Sequence, residues 1–116
     1  MRVFTGVVLK GAQRGKALGY PTVNIPLSGE TISGIYAARV YLKKGDAPYM
    51  AAAFADSQRK ILEAHLLDFS DDVYDMKVVI ELQKKIRENK EFSDDDELQT
   101  AIAGDIAKVR EYFNNL

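Results

Sequence analysis

The fold is decided by the stretch Leu98-Gln99-Thr100-Ala101-Ile102-Ala103-Gly104-Asp105-Ile106-Ala107-Lys108-Val109-Arg110-Glu111-Tyr112-Phe113. Its apolar residues fall on one stripe of an amphipathic helix, at Leu98, Ile102, Ile106, Val109 and Phe113. Ser93 is predicted to cap this helix, and the acidic residues 94–97 follow at the positive end of its dipole. Upstream of residue 93 the apolar residues follow a different period. We therefore expect a single helix together with a β-sheet.

Upstream of the helix the apolar residues alternate, which is typical of strands. Strands are predicted at residues 1–10, 35–43, 49–55, 60–69 and 76–87, with a connection at 25–33. Residues 49–55 are small and apolar, as expected for a strand crowded by its neighbours. Five or six short strands and a single C-terminal helix indicate an antiparallel barrel whose open end the helix closes.

Composition sets limits on the class of protein. The 116 residues are expected to form one domain (1–116), and 47% hydrophobic with 28% charged residues is ordinary for a globule. Zero cysteines exclude a disulfide framework and a thiolate zinc site. A net charge of −1 gives no basic field for nucleic acid, and no apolar run or signal peptide points to a membrane. We expect a cytoplasmic monomer with neither nucleic acid nor membrane as a partner.

A glycine-rich stretch contains Gly11, Gly15 and Gly19, with Arg14 and Lys16 between the glycines. Glycine lets the backbone approach a phosphate, and successive N–H groups in turns form an anion-binding nest. The stretch therefore predicts a phosphate cradle that includes Gly11, Gly15 and Lys16. It is not a Walker loop, because the glycine spacing is one residue short and neither Ser nor Thr follows Lys16. An ordinary surface loop is the alternative.

Thr22 and Asn24 follow this stretch, directly after Pro21. In an extended segment their side chains leave on the same side. A hydroxyl and a carboxamide oxygen suit Mg²⁺, which keeps its waters and takes further ligands from a nucleotide. The alternative is that both side chains hydrogen-bond their own turn. We expect both residues on a loop outside the core.

Several stretches together resemble the riboflavin kinases of the flavokinase and FAD synthetase type. They occur in the family's order at residues 15–25, 34–37, 63–69, 72–74 and 86–92, leading to Leu98, Ile102 and Asp105. The resemblance implies a mainly β fold, a six-stranded antiparallel Greek-key barrel closed by one C-terminal α-helix. It also implies ATP-dependent phosphorylation of the riboflavin 5′-hydroxyl to give FMN. ATP and riboflavin would be the substrates and Mg²⁺ the cofactor, with Zn²⁺ or Mn²⁺ as alternatives.

Glu63 and the only histidine, His65, share one face of the strand predicted at 60–69. Phosphorylation of an alcohol needs a base to orient the hydroxyl and accept its proton. The family's catalytic glutamate falls on Glu63, so Glu63 is the candidate base. Sequence alone favours the alternative, a carboxylate on the solvent face of a sheet. His65 is predicted to be structural or to form a wall of the nucleotide pocket.

Arg87, Lys90 and Phe92 stand at the entrance to the helix. Two cations beside an aromatic ring form a plausible edge for a planar isoalloxazine, although a charge run at a helix start is usually only solvated. By resemblance the flavin contacts lie here. The resemblance also assigns Leu66 and Tyr74 to the nucleotide side.

The chain departs from the family in two places. Asp75 replaces a loop glycine, and residues 52–59 form a shorter segment than the family has. A flavin- or nucleotide-binding barrel with impaired catalysis is therefore the runner-up to an active kinase. An oligonucleotide-binding barrel is a third hypothesis, which the acidic balance argues against. The chain length leaves no room for a nucleotidyltransferase domain, so FMN and not FAD is the expected end product.

Overall fold

The computed structural model of the chain describes residues 2–8, 22–27, 32–42, 47–68 and 76–116. The order of elements is β1 (Arg2–Val7), β2 (Thr22–Pro26), β3 (Gly34–Tyr41), β4 (Tyr49–Asp56), β5 (Ile61–Leu66), β6 (Lys77–Arg87) and α1 (Asp95–Asn114). The five strands predicted from alternation and the C-terminal helix are confirmed within these ranges. Within the described residues, no helix is long and apolar enough to cross a membrane.

The strands form one antiparallel sheet in the order β1-β6-β3-β4-β5-β2. Strands β3, β4 and β5 follow one another as neighbours, and β6 returns to pair with β3, which is a Greek key. The edge strands β1 and β2 approach each other at Gly6, where an added Cβ would lie 3.0 Å from the Ile25 Cβ. The sheet is therefore a nearly closed barrel, as the sequence predicts.

The barrel interior is filled by the inward-facing members of each strand. These include Val23, Ile25, Ala38, Val40, Ala51, Ala53, Leu62, Ala64, Leu66, Val78 and Ile80. The alanines of β4 are almost fully buried, which confirms that this strand is crowded by its neighbours. Small side chains here let the wall curve tightly around a compact core.

Strand β2 corrects the expectation for residues 22–26. Thr22 and Asn24 were expected on a loop outside the core, and Ile25 in a connection, but all three lie in β2 and are buried. Val23 and Ile25 face the barrel interior, while Thr22 and Asn24 alternate onto the opposite face. Pro26 ends the strand, and proline is tolerated there because β2 is an edge of the sheet.

Helix α1 packs on the outside of the barrel wall. Its buried residues Ile102, Ile106 and Val109 meet Ala37 of β3 and Ala52 of β4 in a second apolar cluster. The predicted stripe of the helix is therefore confirmed, and the wall between the two clusters is apolar on both faces. The helix therefore lies over the outer faces of β3, β4 and β6.

The helix cap differs by one residue from the prediction. Asp94 is the N-cap, and its Oδ1 accepts a 2.8 Å hydrogen bond from the Glu97 N–H. Ser93 instead donates its backbone N–H and its hydroxyl to Glu97 Oε2, at 3.2 and 3.0 Å. The prediction that Ser93 is the cap is therefore wrong. The Asp94 carboxylate accepts the Glu97 backbone N–H, while the Glu97 side chain folds back to accept from Ser93.

This capping arrangement predicts a pH dependence. The hydrogen bonds from the Ser93 N–H and hydroxyl hold the pKa of Glu97 below its ordinary value of 4.5. A carboxyl with a lowered folded-state pKa stabilises the fold above its ordinary pKa, and this stabilisation is lost as the pH falls through the folded value. Thermal melts are measured between pH 3 and 6, roughly the range where carboxyls titrate. On acidification the melting temperature of Glu97→Gln should fall less than that of the wild type. Equal losses would contradict the arrangement.

Substitution by alanine is expected to have opposite effects on the free energy of unfolding at two glycines. Gly34 has φ +108°, and an added Cβ would lie 2.7 Å from the Arg87 carbonyl oxygen, whereas Gly104 has nothing within 4 Å. Gly34→Ala should lower the free energy of unfolding by about 1–3 kcal/mol through backbone strain. Gly104→Ala, in an exposed helix interior, should raise it by up to about 1 kcal/mol. Urea unfolding of both variants checks the pair, and a neutral Gly34→Ala would contradict the close approach.

Candidate active site

The strand register aligns five residues in one row across the outer face of the wall. Arg87 of β6 is opposite Ile35, Ile35 is opposite Phe54, Phe54 is opposite Glu63, and Glu63 is opposite Asn24 of β2. Side chains of directly opposed residues in antiparallel strands have Cβ atoms about 4.5–5.5 Å apart. The row therefore joins the predicted flavin end, at Arg87, to the predicted metal end, at Asn24, with Glu63 next to Asn24.

A second row lies beside the first. Ala37 is opposite Ala52, Ala52 is opposite His65, and His65 is opposite Thr22. The two alanines lie under helix α1, and their small side chains let the helix sit close to the wall. Thr22, Asn24, Glu63 and His65 thus occupy the same face of the β2–β5 pair.

A pocket of about 680 Å³, including its open mouth, lies between the first row and α1. Its lining is mixed, with apolar and aromatic walls and several charged groups: Ile35, Ala52, Phe54, Arg59, Glu63, His65, Arg87, Lys90, Phe92, Leu98, Ile102 and Asp105. A concave, mainly apolar site with a few convergent polar groups is typical of small-molecule binding.

Glu63 and His65 form a buried pair in this pocket. Their residues are only 7% and 6% exposed, and His65 Nε2 lies 2.9 Å from Glu63 Oε1. The prediction that they share a face is confirmed, and the alternative of a carboxylate on the solvent face is wrong. The histidine lines the pocket and contacts one carboxylate oxygen of Glu63.

The polar atoms of Thr22 and Asn24 have no partner within the described ranges. Thr22 Oγ1 and Asn24 Oδ1 and Nδ2 are buried and make no hydrogen bond there, so the turn-bonding alternative is not observed. Burying a polar group without a partner costs about 1–3 kcal/mol. Such a cost is expected where the two side chains serve as ligands for a bound group.

The described residues hold no cluster of three acidic, His or Cys side chains that could bind a metal. Two neutral oxygens fit Mg²⁺ only if a nucleotide and water supply the remaining ligands.

The end of the pocket at Arg87 lies beside two irregularities in the β3–β6 register, between Ile35 and Tyr36 and between Ala37 and Ala38. A bulge adds a residue to one strand and turns the following side chains to the other face. Two such insertions cancel, so Arg87 keeps the outer face that strict alternation gives it. Its guanidinium carbon is 5.7 Å from the centroid of the Phe92 ring. The segment after β6 is tied to the wall by a 3.1 Å hydrogen bond from Asn89 Nδ2 to the Ala55 carbonyl.

The predicted site residues divide into three groups. Glu63, Arg87, Lys90 and Phe92 line the same pocket, whereas Thr22 and Asn24 are not among its lining residues and lie on the strand next to Glu63. Leu66 is separate, because its side chain belongs to the barrel core. The last group, Gly11, Gly15, Lys16 and Tyr74, lies outside the described residues, as does Asp75.

Sequence reasoning gave no role to Asp105, which is buried and contacts Arg87 in the pocket. Arg87 Nε and Nη2 donate to Asp105 Oδ1 and Oδ2, both at 2.8 Å. Phe54, the residue of the row between Ile35 and Glu63, was also missed. A signal for Asp105 was present, since an acid stands within the apolar stripe of the helix, between Ile102 and Ile106.

The chain is similar to known proteins in both sequence and fold. The chain is 36% identical over 117 residues to the bifunctional riboflavin kinase/FMN adenylyltransferase of Escherichia coli (strain K12), covering 94% of this chain and 37% of that protein. It is also similar to a solved macrolide-efflux protein from Streptococcus pneumoniae, with TM-score 0.76, 26% identity and coverage of 93% of this chain and 38% of the other. The riboflavin kinase from Trypanosoma brucei shares the fold, with TM-score 0.68, 24% identity and coverage of 97% and 79%.

The chain thus spans less than two fifths of the length of the first two proteins. A family model described as flavokinase, riboflavin kinase, matches residues 2–113, from the first strand to the last turn of the helix. Since that match includes both rows and the pocket, the chain belongs to the riboflavin kinase family.

Proposed function

We propose that this chain transfers the terminal phosphoryl group of ATP to the 5′-hydroxyl of riboflavin and so makes FMN. The observation that carries the proposal is the adjacency of Glu63 to the unpaired polar atoms of Asn24 and Thr22, at the end of an apolar pocket. Membership of the riboflavin kinase family supports it.

The pocket suits a flavin. Ile35, Phe54, Phe92, Leu98 and Ile102 give it flat apolar and aromatic walls for a planar ring system. Arg87 and Lys90 at the far end offer N–H donors to the polar edge of the ring. The row from Arg87 to Glu63 spans three strand spacings, about 14 Å, a length that allows an extended ring and its ribityl chain to lie along it.

Glu63 is positioned to act on the hydroxyl at the other end. Its carboxylate orients the 5′-hydroxyl and accepts its proton, while His65 fixes the carboxylate through the 2.9 Å contact. The oxygen of riboflavin forms a new bond to phosphorus as the bond from phosphorus to ADP breaks, and the proton passes to Glu63. Because the transition state is loose, positioning contributes more than early deprotonation.

Thr22 and Asn24 would hold Mg²⁺ beside Glu63, with Mn²⁺ and Zn²⁺ as alternatives. When bound, the cation neutralises charge on the terminal phosphates of ATP. The two side chains themselves contribute fixed, buried oxygens on a strand, which does not need to rearrange when the nucleotide arrives.

The other expectations stay predictions. They are nucleotide contacts from Gly11, Gly15, Lys16, Leu66 and Tyr74, a single domain, a cytoplasmic monomer, FMN as the end product, and no nucleic acid or membrane partner. FAD made by the purified 116-residue chain would contradict the expected product.

The function is tested by incubating the purified chain with riboflavin, ATP and Mg²⁺ and separating the flavins by chromatography. FMN that accumulates in proportion to protein and time supports the proposal. Riboflavin bound without conversion would instead support the runner-up, a binding module with impaired catalysis. Neither binding nor conversion would overturn both hypotheses.

A further inference from the structure

Asp105 is the one buried carboxylate of helix α1 in the described part of the chain, and it is only 5% exposed. It accepts both Nε and Nη2 of Arg87 at 2.8 Å, in a bidentate pair that links α1 to the end of β6. Bidentate pairs fix the plane of the guanidinium as well as its position. The orientation of Arg87 in the pocket is therefore set from the helix.

Arg87 keeps donors for a ligand after this pairing. A guanidinium has five N–H groups, of which two go to Asp105 and one, from Nη1, to the Glu88 carbonyl at 2.9 Å. The two others have no partner within the described ranges, and the Arg87 side chain is 25% exposed to the pocket. The same guanidinium lies over the Phe92 ring in a cation–π contact.

The pairing also determines what kind of ligand Arg87 suits. Asp105 balances the charge of Arg87, so the guanidinium itself presents directional donors with its charge compensated, and Lys90 is the remaining cation beside it. Such a group favours a neutral acceptor, such as a ring carbonyl, over a phosphate, which needs uncompensated positive charge to replace its hydration. The opposite end, at Thr22 and Asn24, is where phosphate is proposed.

We infer that Asp105 is a positioning residue that acts through Arg87 to bind the neutral polar edge of the riboflavin ring. The inference rests on the proposed function, since it assigns one end of the same pocket. It predicts that the loss of Asp105 impairs riboflavin binding selectively and leaves the nucleotide end unaffected.

The test compares wild type, Asp105→Asn, Asp105→Glu, Arg87→Met and the double variant Arg87→Met/Asp105→Asn. Riboflavin affinity is measured by quenching of flavin fluorescence, and KM for riboflavin, KM for MgATP and kcat by FMN formation. Asp105→Asn should raise the riboflavin Kd and KM at least about tenfold, the loss of one charged hydrogen bond. Its KM for MgATP and its kcat should stay within about threefold of wild type, and Asp105→Glu should recover part of the affinity.

The double variant shows whether Asp105 acts through Arg87. If it does, Asp105→Asn adds no further loss in the Arg87→Met background, whereas independent effects would add. Asp68→Asn is the matched control, because Asp68 makes a bidentate pair with Arg110 of α1 outside the pocket. It removes the same kind of contact to the helix and should leave riboflavin affinity unchanged.

Folding is checked by thermal melts of every variant. If Asp105→Asn does not fold, Arg87→Met/Asp105→Leu removes both charges and should fold, with weak riboflavin binding and normal MgATP binding. A folded Asp105→Asn with wild-type riboflavin affinity, or with equal losses for riboflavin and MgATP, overturns the inference alone. Wild type that neither binds nor phosphorylates riboflavin overturns the proposed function and the inference with it.

Discussion

Glu63→Gln is expected to reduce turnover at least about tenfold, and up to about 10⁴-fold, with riboflavin and MgATP affinities close to wild type. A positioned base typically contributes about 10²- to 10⁴-fold, and the lower bound corresponds to about 1.4 kcal/mol of barrier. The amide keeps the shape of the side chain and its contact with His65, but it removes the proton acceptor. Steady-state FMN formation measures the rate, and flavin fluorescence measures the binding.

The fold should tolerate this change, because Glu63 is buried in a mostly apolar strand where a neutral amide is less costly than a carboxylate. Glu111→Gln, on the exposed side of α1, is the matched control and should leave turnover unchanged. A folded Glu63→Gln that makes FMN at the wild-type rate would remove Glu63 from the mechanism.

Thr22→Val and Asn24→Leu are expected to lose metal-dependent nucleotide binding while the fold becomes more stable. The polar atoms at both positions are buried without a partner in the described ranges, so apolar groups of similar size relieve about 1 kcal/mol or more each. The same substitutions remove the oxygens proposed for Mg²⁺, which should weaken Mg-ATP binding at least about tenfold. Melting temperature and MgATP titration should therefore change in opposite senses.

Thr5→Val is the matched control for Thr22→Val. Thr5 lies on the other edge strand, β1, and is exposed, so its substitution should change stability by less than about 0.5 kcal/mol and leave binding unchanged. If Thr22→Val and Asn24→Leu destabilise the fold and bind MgATP normally, both side chains are structural and the metal assignment is wrong.

The sequence predicted most of the barrel because its alternating strands and helical stripe are strong periodic signals. It missed β2, since a five-residue strand bounded by Pro21 and Pro26 offers little alternation and carries polar residues at Thr22 and Asn24. The same polar residues are buried in the structure, on the face of the β2–β5 pair where the nucleotide end is proposed. Exceptions to local pattern at a functional site are expected.

The site was only partly predictable for a different reason. The role proposed for Glu63 rests on the resemblance of its motif to the family, but its proximity to Asn24 and Phe54 depends on strand register, which long-range pairing determines. Two irregularities in β6, which the residue pattern does not predict, reverse the alternation after Leu82 and restore it at Arg87. Ile86, predicted on the same face as Ile80 and Leu82, packs against the helix cluster instead, because these irregularities reverse the alternation.

The central claim is that the nucleotide end and the flavin end of one row meet at Glu63. It is tested most directly by incubating the wild type with riboflavin and ATP labelled at the γ-phosphate, with Mg²⁺ or with a chelator. The account predicts label on the riboflavin 5′-oxygen with Mg²⁺, and at least about a tenfold loss with the chelator or in Asn24→Leu. No labelled FMN from the wild type, or equal labelling by Asn24→Leu, would contradict it.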